Sequence, residues 1–264
     1  MLCIASGTVS AQKNIKDVSS KAFEIGKIIT VKSDILKENR TLNIYFPEGY
    51  DTSDKKYPVI YLLDGSANED FIHIAGLVQF QSFSWLDIIP ESIVVGIANI
   101  DRKRDFTYPS NSELDNKELP TSGGSEKFIQ FLRDELQPYM ASNFKISEVK
   151  TIIGQSLGGL LASEIVLKQP SLFDNYLIVS PSTWWDDESL LKMKPTEVKK
   201  PINIFVAVGT EGPLMQTGAT KLYYNLLQAH GEKNKVTFKF LENLNHGDTL
   251  HLAAYLGLET FFKK

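Results

Sequence analysis

The chain has 264 residues, 28 Lys+Arg against 32 Asp+Glu for a formal net charge of −4, 42% hydrophobic residues, four His and one Cys. That length holds one large α/β domain with a sizeable core, and a slightly acidic chain of pI about 5.7 gives no electrostatic case for nucleic acid or an anionic membrane surface. Cys3 alone excludes an internal disulfide and a cysteine-based zinc, haem or iron-sulfur centre, so chemistry must come from Ser, His, Asp, Glu, Arg or a cofactor.

Residues 1–12, ending in Val9-Ser10-Ala11, run from apolar to small and read as the tail of a signal peptide; the alternative is an unstructured N-terminus. The first reading implies export to the periplasm or the outside, and the second leaves a cytoplasmic location open. Residues 13–264 read as a single domain. Elsewhere no run of about 18 apolar residues occurs, so no membrane span is expected.

Phe23–Ser33 and Arg40–Phe46 read as a leading antiparallel pair, the second alternating Leu42, Ile44 and Phe46 with polar neighbours. Short, nearly continuous apolar runs come next: Pro58–Leu63, Ile93–Ala98, Thr151–Ile153, Tyr176–Val179 and Ile202–Val208. Such runs suit strands of a parallel sheet covered on both faces. Val236–Leu241 alternates more clearly. Helical spacing appears in Ser125–Met140, Leu157–Leu167, Gly218–Gln228 and Thr249–Phe262. The segment Asp101–Thr121 is long, polar and without periodicity, as expected of a pocket rim. Strand and helix in alternation predict an α/β domain with a mainly parallel, doubly wound sheet and helices on both faces. Ligands of such sheets bind at the carboxyl ends of the strands.

After Thr151–Ile153 the sequence reads Gly154-Gln155-Ser156-Leu157-Gly158-Gly159 and then enters a helix. This is the G-x-S-x-G elbow, in which flanking glycines permit a strained turn that exposes a serine hydroxyl. A hydroxyl needs a neighbouring base. His246, in Asn245-His246-Gly247 between the last strand and the last helix, has the position and chain order for it. His73 lies in an apolar helical stretch, His230 at a helix C-terminus where positive charge favours the macrodipole, and His251 inside the last helix. Glu211 is the one carboxylate in Gly209-Thr210-Glu211-Gly212-Pro213 and would orient the imidazole; a solvated loop acid is its plain reading, and Asp248 is the fallback. The backbone N–H groups of Leu157 and of Ser66, in the turn Asp64-Gly65-Ser66, are the candidate oxyanion donors.

Tyr61-Leu62-Leu63-Asp64-Gly65, the run Ile97 to Thr107, Gly123-Gly124, the elbow, Ser180-Pro181-Ser182-Thr183-Trp184-Trp185 and Asn245-His246-Gly247 occur in order. Together they resemble the putative-esterase family of α/β-hydrolases, which includes siderophore esterases, esterase D and feruloyl esterases. The resemblance implies an α/β-hydrolase fold, Ser156 as nucleophile and His246 as base. One departure is Tyr108, which intervenes where the family's Arg-x-Arg-Asp segment runs into Thr-Pro. Arg102 and Arg104 are candidate receptors for an anionic or catechol-like group, and Tyr108, Trp184 and Trp185 for stacking on an aromatic one. Internal ion pairs and core packing are the plain readings of these five residues.

The expected function is hydrolysis of a small-molecule carboxylic ester through an acyl-enzyme on Ser156, with no cofactor and no metal. An acyltransferase on the same scaffold and a non-catalytic binding protein that kept the fold are the alternatives. No feature sets an oligomeric state.

Overall fold

A computed structural model describes residues 17–231 and 234–263. Cys3 and the expected leader lie outside them. The chain forms β1 (Gly26–Ser33), β2 (Glu38–Tyr45), β3 (Tyr57–Leu62), α1 (Phe71–Gln81), β4 (Ile93–Ile97), α2 (Arg102–Phe106), α3 (Glu113–Glu118) and α4 (Ser125–Phe131). A π turn, Leu132–Leu136, joins α4 to α5 (Gln137–Asn143). Then come β5 (Ile146–Gln155), α6 (Leu157–Lys168), β6 (Asn175–Val179), α7 (Trp185–Glu188, a single distorted turn), β7 (Asn203–Gly209), α8 (Pro213–His230), β8 (Lys235–Leu241) and α9 (Thr249–Phe262).

The eight strands make one sheet in the order β1-β2-β4-β3-β5-β6-β7-β8. β1 pairs antiparallel with β2, β2 antiparallel with β4, and every later pairing is parallel. This is the expected mainly parallel sheet with a leading antiparallel pair. All five residues of β4 and of β6 are buried, which is why their sequences run nearly continuously apolar rather than alternating; the exception, Asn175, donates to Thr151 Oγ1 at 3.0 Å. On one face α1 and α9 cover the sheet through Ile74, Val78, Ala253 and Leu258; on the other α4, α6 and α8 cover it through Phe128, Leu160 and Leu222.

Three elements differ from their sequence expectation. β5 begins five residues before Thr151, because its first half is only partly buried and mixes polar with apolar residues while still pairing with β3. α8 begins at Pro213, where proline fits the first helical turn. The segment Asp101–Thr121 contains α2 and α3 instead of irregular chain. Both are nucleated by caps: Asp101 Oδ1 accepts from Arg104 N at 3.0 Å, and Ser112 Oγ accepts from Asp115 N at 3.3 Å. Helices of five and six residues carry too few turns for an apolar period to show.

Among the described residues no helix is long and apolar enough to cross a membrane.

Candidate active site

β5 ends at Gln155 and α6 starts at Leu157, so Ser156 alone makes the turn. It does so at φ 58° and ψ −119°, a conformation that costs a non-glycine residue about 1–3 kcal/mol. Strand and helix nearly touch here. A Cβ on Gly154 would lie 2.3 Å from Gly158 O, and one on Gly159 would lie 2.8 Å from Val179 O. Gly154 and Gly159 are therefore sterically required, whereas a Cβ on Gly158 would come no nearer than 3.3 Å to a side-chain atom. Ser156 N donates to Val179 O at 3.0 Å, which ties the elbow to the end of β6. Ser156 Oγ sits 3.4 Å from Ser182 Oγ, and Ser182 N donates to Ser156 O at 3.0 Å.

The loops that follow β6, β7 and β8 converge on one carboxylate. Glu211 Oε1 accepts from Ser180 Oγ at 2.5 Å and Gly209 N at 2.9 Å, with Thr249 Oγ1, whose nearer acceptor is Asn245 O at 2.5 Å, at 3.1 Å; this leaves Oε2 for His246 Nδ1 at 2.6 Å. Burial alone would push the Glu211 carboxyl up. The hydrogen bonds from His246, Ser180 and Gly209 outweigh it and hold the pKa at about 2. A permanent carboxylate can only accept, so the ring proton of His246 belongs on Nδ1 and Nε2 keeps its lone pair. Gln155 Nε2 reaches across from the elbow to donate to His246 O at 2.5 Å. Asp248 faces the other way, accepting from Asn245 N at 2.6 Å as a brace of the loop.

The remaining histidines lie elsewhere. His251 Nδ1 is 2.6 Å from His73 Nε2 in an exposed pair between α1 and α9. His230 is buried at the end of α8, where desolvation lowers its pKa from the ordinary imidazole value.

Leu157 N is the first amide of α6, one of those a helix leaves without an internal acceptor. Ser66 N makes only a long bond of 3.4 Å to Glu69 Oε2. Its loop is held by Gly65 N donating to Ile97 O at 3.1 Å and by Asn43 Nδ2 donating to Gly65 O at 2.8 Å. A Cβ on Gly65 would lie 2.3 Å from Gly96 Cα, so only glycine allows that approach.

The five candidate substrate contacts separate clearly. Arg102 is paired with Asp64, and Arg104 with Asp105 and Glu38. Trp185 has no exposed surface and donates from Nε1 to Tyr108 O at 2.8 Å; Tyr108 is buried with its hydroxyl 3.1 Å from Ser189 Oγ. Arg102 and Arg104 are engaged in ion pairs while about a third exposed, and Tyr108 and Trp185 are packed in the core. Trp184 alone is a partly exposed aromatic, edge-on to Trp185.

Ser180, Ser182 and Thr249 are functional-site neighbours to which the sequence assigned no role. Ser180-Pro181-Ser182 stands among the ordered motifs, and the left-handed φ of 44° at the buried Ser180 marks it as a built position. Thr249 opens the last helix, three residues after His246.

An α/β-hydrolase sheet with an exposed serine elbow defines the class. Within it, residues 33–253 match the family model described as "Putative esterase", and the chain belongs to that family. Ferri-bacillibactin esterase BesA of Bacillus subtilis is 32% identical over 72% of this chain and 73% of its own length. Among solved structures, the BES protein of Bacillus cereus superposes with a TM-score of 0.82 at 28% identity, covering 96% of this chain and 100% of that one. An IroE-like serine hydrolase from Shewanella oneidensis gives 0.80 at 27% identity over 90% and 80%. The chain is a carboxylic-ester hydrolase.

Proposed function

We propose that ester hydrolysis runs through an acyl-enzyme on Ser156, with His246 as base and Glu211 as the acid that orients it. Ser156 Oγ attacks the acyl carbon while His246 Nε2 takes its proton. The tetrahedral oxyanion is met by the N–H groups of Leu157 and Ser66. The imidazolium then protonates the leaving alkoxide as the ester C–O bond breaks. Water, deprotonated by His246, attacks the acyl carbon and releases Ser156. Among the described residues Ser156 Oγ has its hydrogen-bond partner in Ser182 Oγ at 3.4 Å, and the proposed step needs it to turn to His246 Nε2.

The observation that carries this reading is the 2.6 Å contact of Glu211 Oε2 with His246 Nδ1, made by a carboxylate whose other oxygen is held by Ser180 Oγ and Gly209 N. Its presence on the loops that face the elbow supports a triad over a non-catalytic protein.

The substrate class we propose is a siderophore-type ester, on the strength of the relatives named for such substrates, with Trp184 as the aromatic wall of the site. The expected leader supports an exported enzyme.

Ser156→Ala is expected to abolish turnover of a p-nitrophenyl ester and to leave the melting temperature within a few degrees of wild type. Retained turnover would overturn the assignment of the nucleophile.

A further inference from the structure

Arg102 stands where an anionic substrate would look for a cation, yet its donors are already directed inward. Nε donates to Asp64 Oδ1 at 2.6 Å and Nη2 to Asp64 Oδ2 at 3.0 Å, a two-point fork. Nη2 also reaches Gln155 O at 3.3 Å. Asp64 is buried and left-handed at φ 54°, immediately before Gly65-Ser66. Its Oδ1 accepts from Asn99 Nδ2 at 2.7 Å, and its Oδ2 faces the first turn of α6, where a Cβ on Gly158 would stand 3.3 Å away. Gln155 is the residue before Ser156, and its side chain holds the carbonyl of His246. One guanidinium therefore joins the loop that carries Ser66 N, the elbow that carries Leu157 N and, through Gln155, the loop that carries His246.

We infer that Arg102 and Asp64 are a positioning pair, which sets the separation of the two oxyanion donors, and that Arg102 is not the receptor for a substrate anion. This rests on the reading of Ser156, Leu157 and Ser66 given above. An oxyanion hole works only if its two donors are held at the right spacing before the reaction, and they lie on different loops after β3 and β5. The carboxylate between those loops needs a counter-charge to stay buried, and the fork supplies it with fixed geometry that an ammonium lacks. The surroundings also disfavour an incoming anion. Glu69 lies within 3.4 Å of Asn99 Nδ2, and Asp70 N donates to Asp64 O at 3.3 Å, so two further acids border the pair. Burial, with Asp64 and Glu69 close by, pushes the Asp70 carboxyl up to about 6.

The test compares a neutral ester, p-nitrophenyl butyrate, with an anionic one, mono-p-nitrophenyl succinate, on wild type, Arg102→Gln, Arg102→Lys, Asp64→Asn and the double variant Asp64→Asn/Arg102→Gln. A positioning pair predicts that Arg102→Gln lowers kcat for both esters by the same factor, roughly 10- to 100-fold, with KM changed by less than about threefold. The double variant should be no worse than the poorer single, because the two residues act as one unit. Arg102→Lys keeps the charge but loses the fork, so it should also lose kcat equally on both esters; this variant decides the matter if Arg102→Gln folds poorly. A rise in KM confined to the anionic ester, with kcat for the neutral ester unchanged, would overturn the inference, as would full activity of Arg102→Lys on both. Fluorophosphonate labelling of Ser156 in wild type reports separately on the nucleophile, so failure of the two readings is distinguishable.

Discussion

Replacing Glu211 by Gln keeps the shape of the side chain and removes its charge, and the hydrogen bonds around it set the consequence. Gln can still present an oxygen to Ser180, Gly209 and Thr249, which places its amide N–H₂ against His246 Nδ1. The ring must then accept at Nδ1 and carry its proton on Nε2, the tautomer that cannot take the proton of Ser156. The loss in kcat is expected to be roughly 10³- to 10⁴-fold, as for the equivalent change in other Ser-His-acid enzymes. Stability changes too. The side chain is 1% exposed and its pKa lies at about 2 against 4.5 for the free group. Lowering the carboxyl from 4.5 to about 2 stabilises the fold by on the order of 3 kcal/mol. Because the folded pKa is the lower one, that contribution is fully present above about pH 4.5 and is lost as pH falls towards 2. Urea unfolding at pH 7 should therefore show Glu211→Gln less stable than wild type, with the gap closing below pH 4. A fall in kcat smaller than about threefold, or a stability gap that does not change with pH, would refute the reasoning.

Other substitutions probe neighbouring parts of the site. Ser180→Ala removes one donor from Glu211 and leaves a buried oxygen short of a partner, so unfolding free energy at pH 7 should drop by about 1–3 kcal/mol, with a smaller kcat loss than Glu211→Gln. Asp70 has its folded pKa raised to about 6, so its ionisation destabilises the fold as pH rises through that value; Asp70→Asn should raise the melting temperature at pH 8 and leave it unchanged at pH 4. Asp70 makes no side-chain cap to α1, so Asn forfeits none. Trp185→Ala should cost about 3–5 kcal/mol of stability through the cavity it leaves, whereas Trp184→Ala should leave the melting temperature nearly unchanged and raise KM for aromatic esters.

The parts of the fold that were legible in the sequence are those whose burial is set by one element alone. β4 and β6 are buried from end to end, so Ile93–Ala98 and Tyr176–Val179 read as apolar runs whatever surrounds them. Ser156 was legible because the close approach of strand and helix needs glycine at 154 and 159, and His246 because base and nucleophile hold fixed places relative to the sheet. What was hidden depends on partners far away in sequence. Arg102 meets Asp64 across 38 residues and Ser180 meets Glu211 across 31, and nothing local to either pair announces the contact. Tyr108 and Trp185 are alike in this respect: each is an aromatic in a segment between strands, and their burial in the core, with a hydrogen bond across 77 residues, has no local signal. α2 and α3 escaped detection because capping, and not periodicity, forms them.

The assignment of Ser156 is tested most directly by incubating the folded protein with a fluorophosphonate probe and locating the adduct by peptide mass spectrometry. Stoichiometric modification of Ser156, absent in Ser156→Ala and much slowed in Glu211→Gln, is the expected result. Folded protein that remains unlabelled, or that is labelled at another serine while Ser156→Ala still turns over ester, would contradict it.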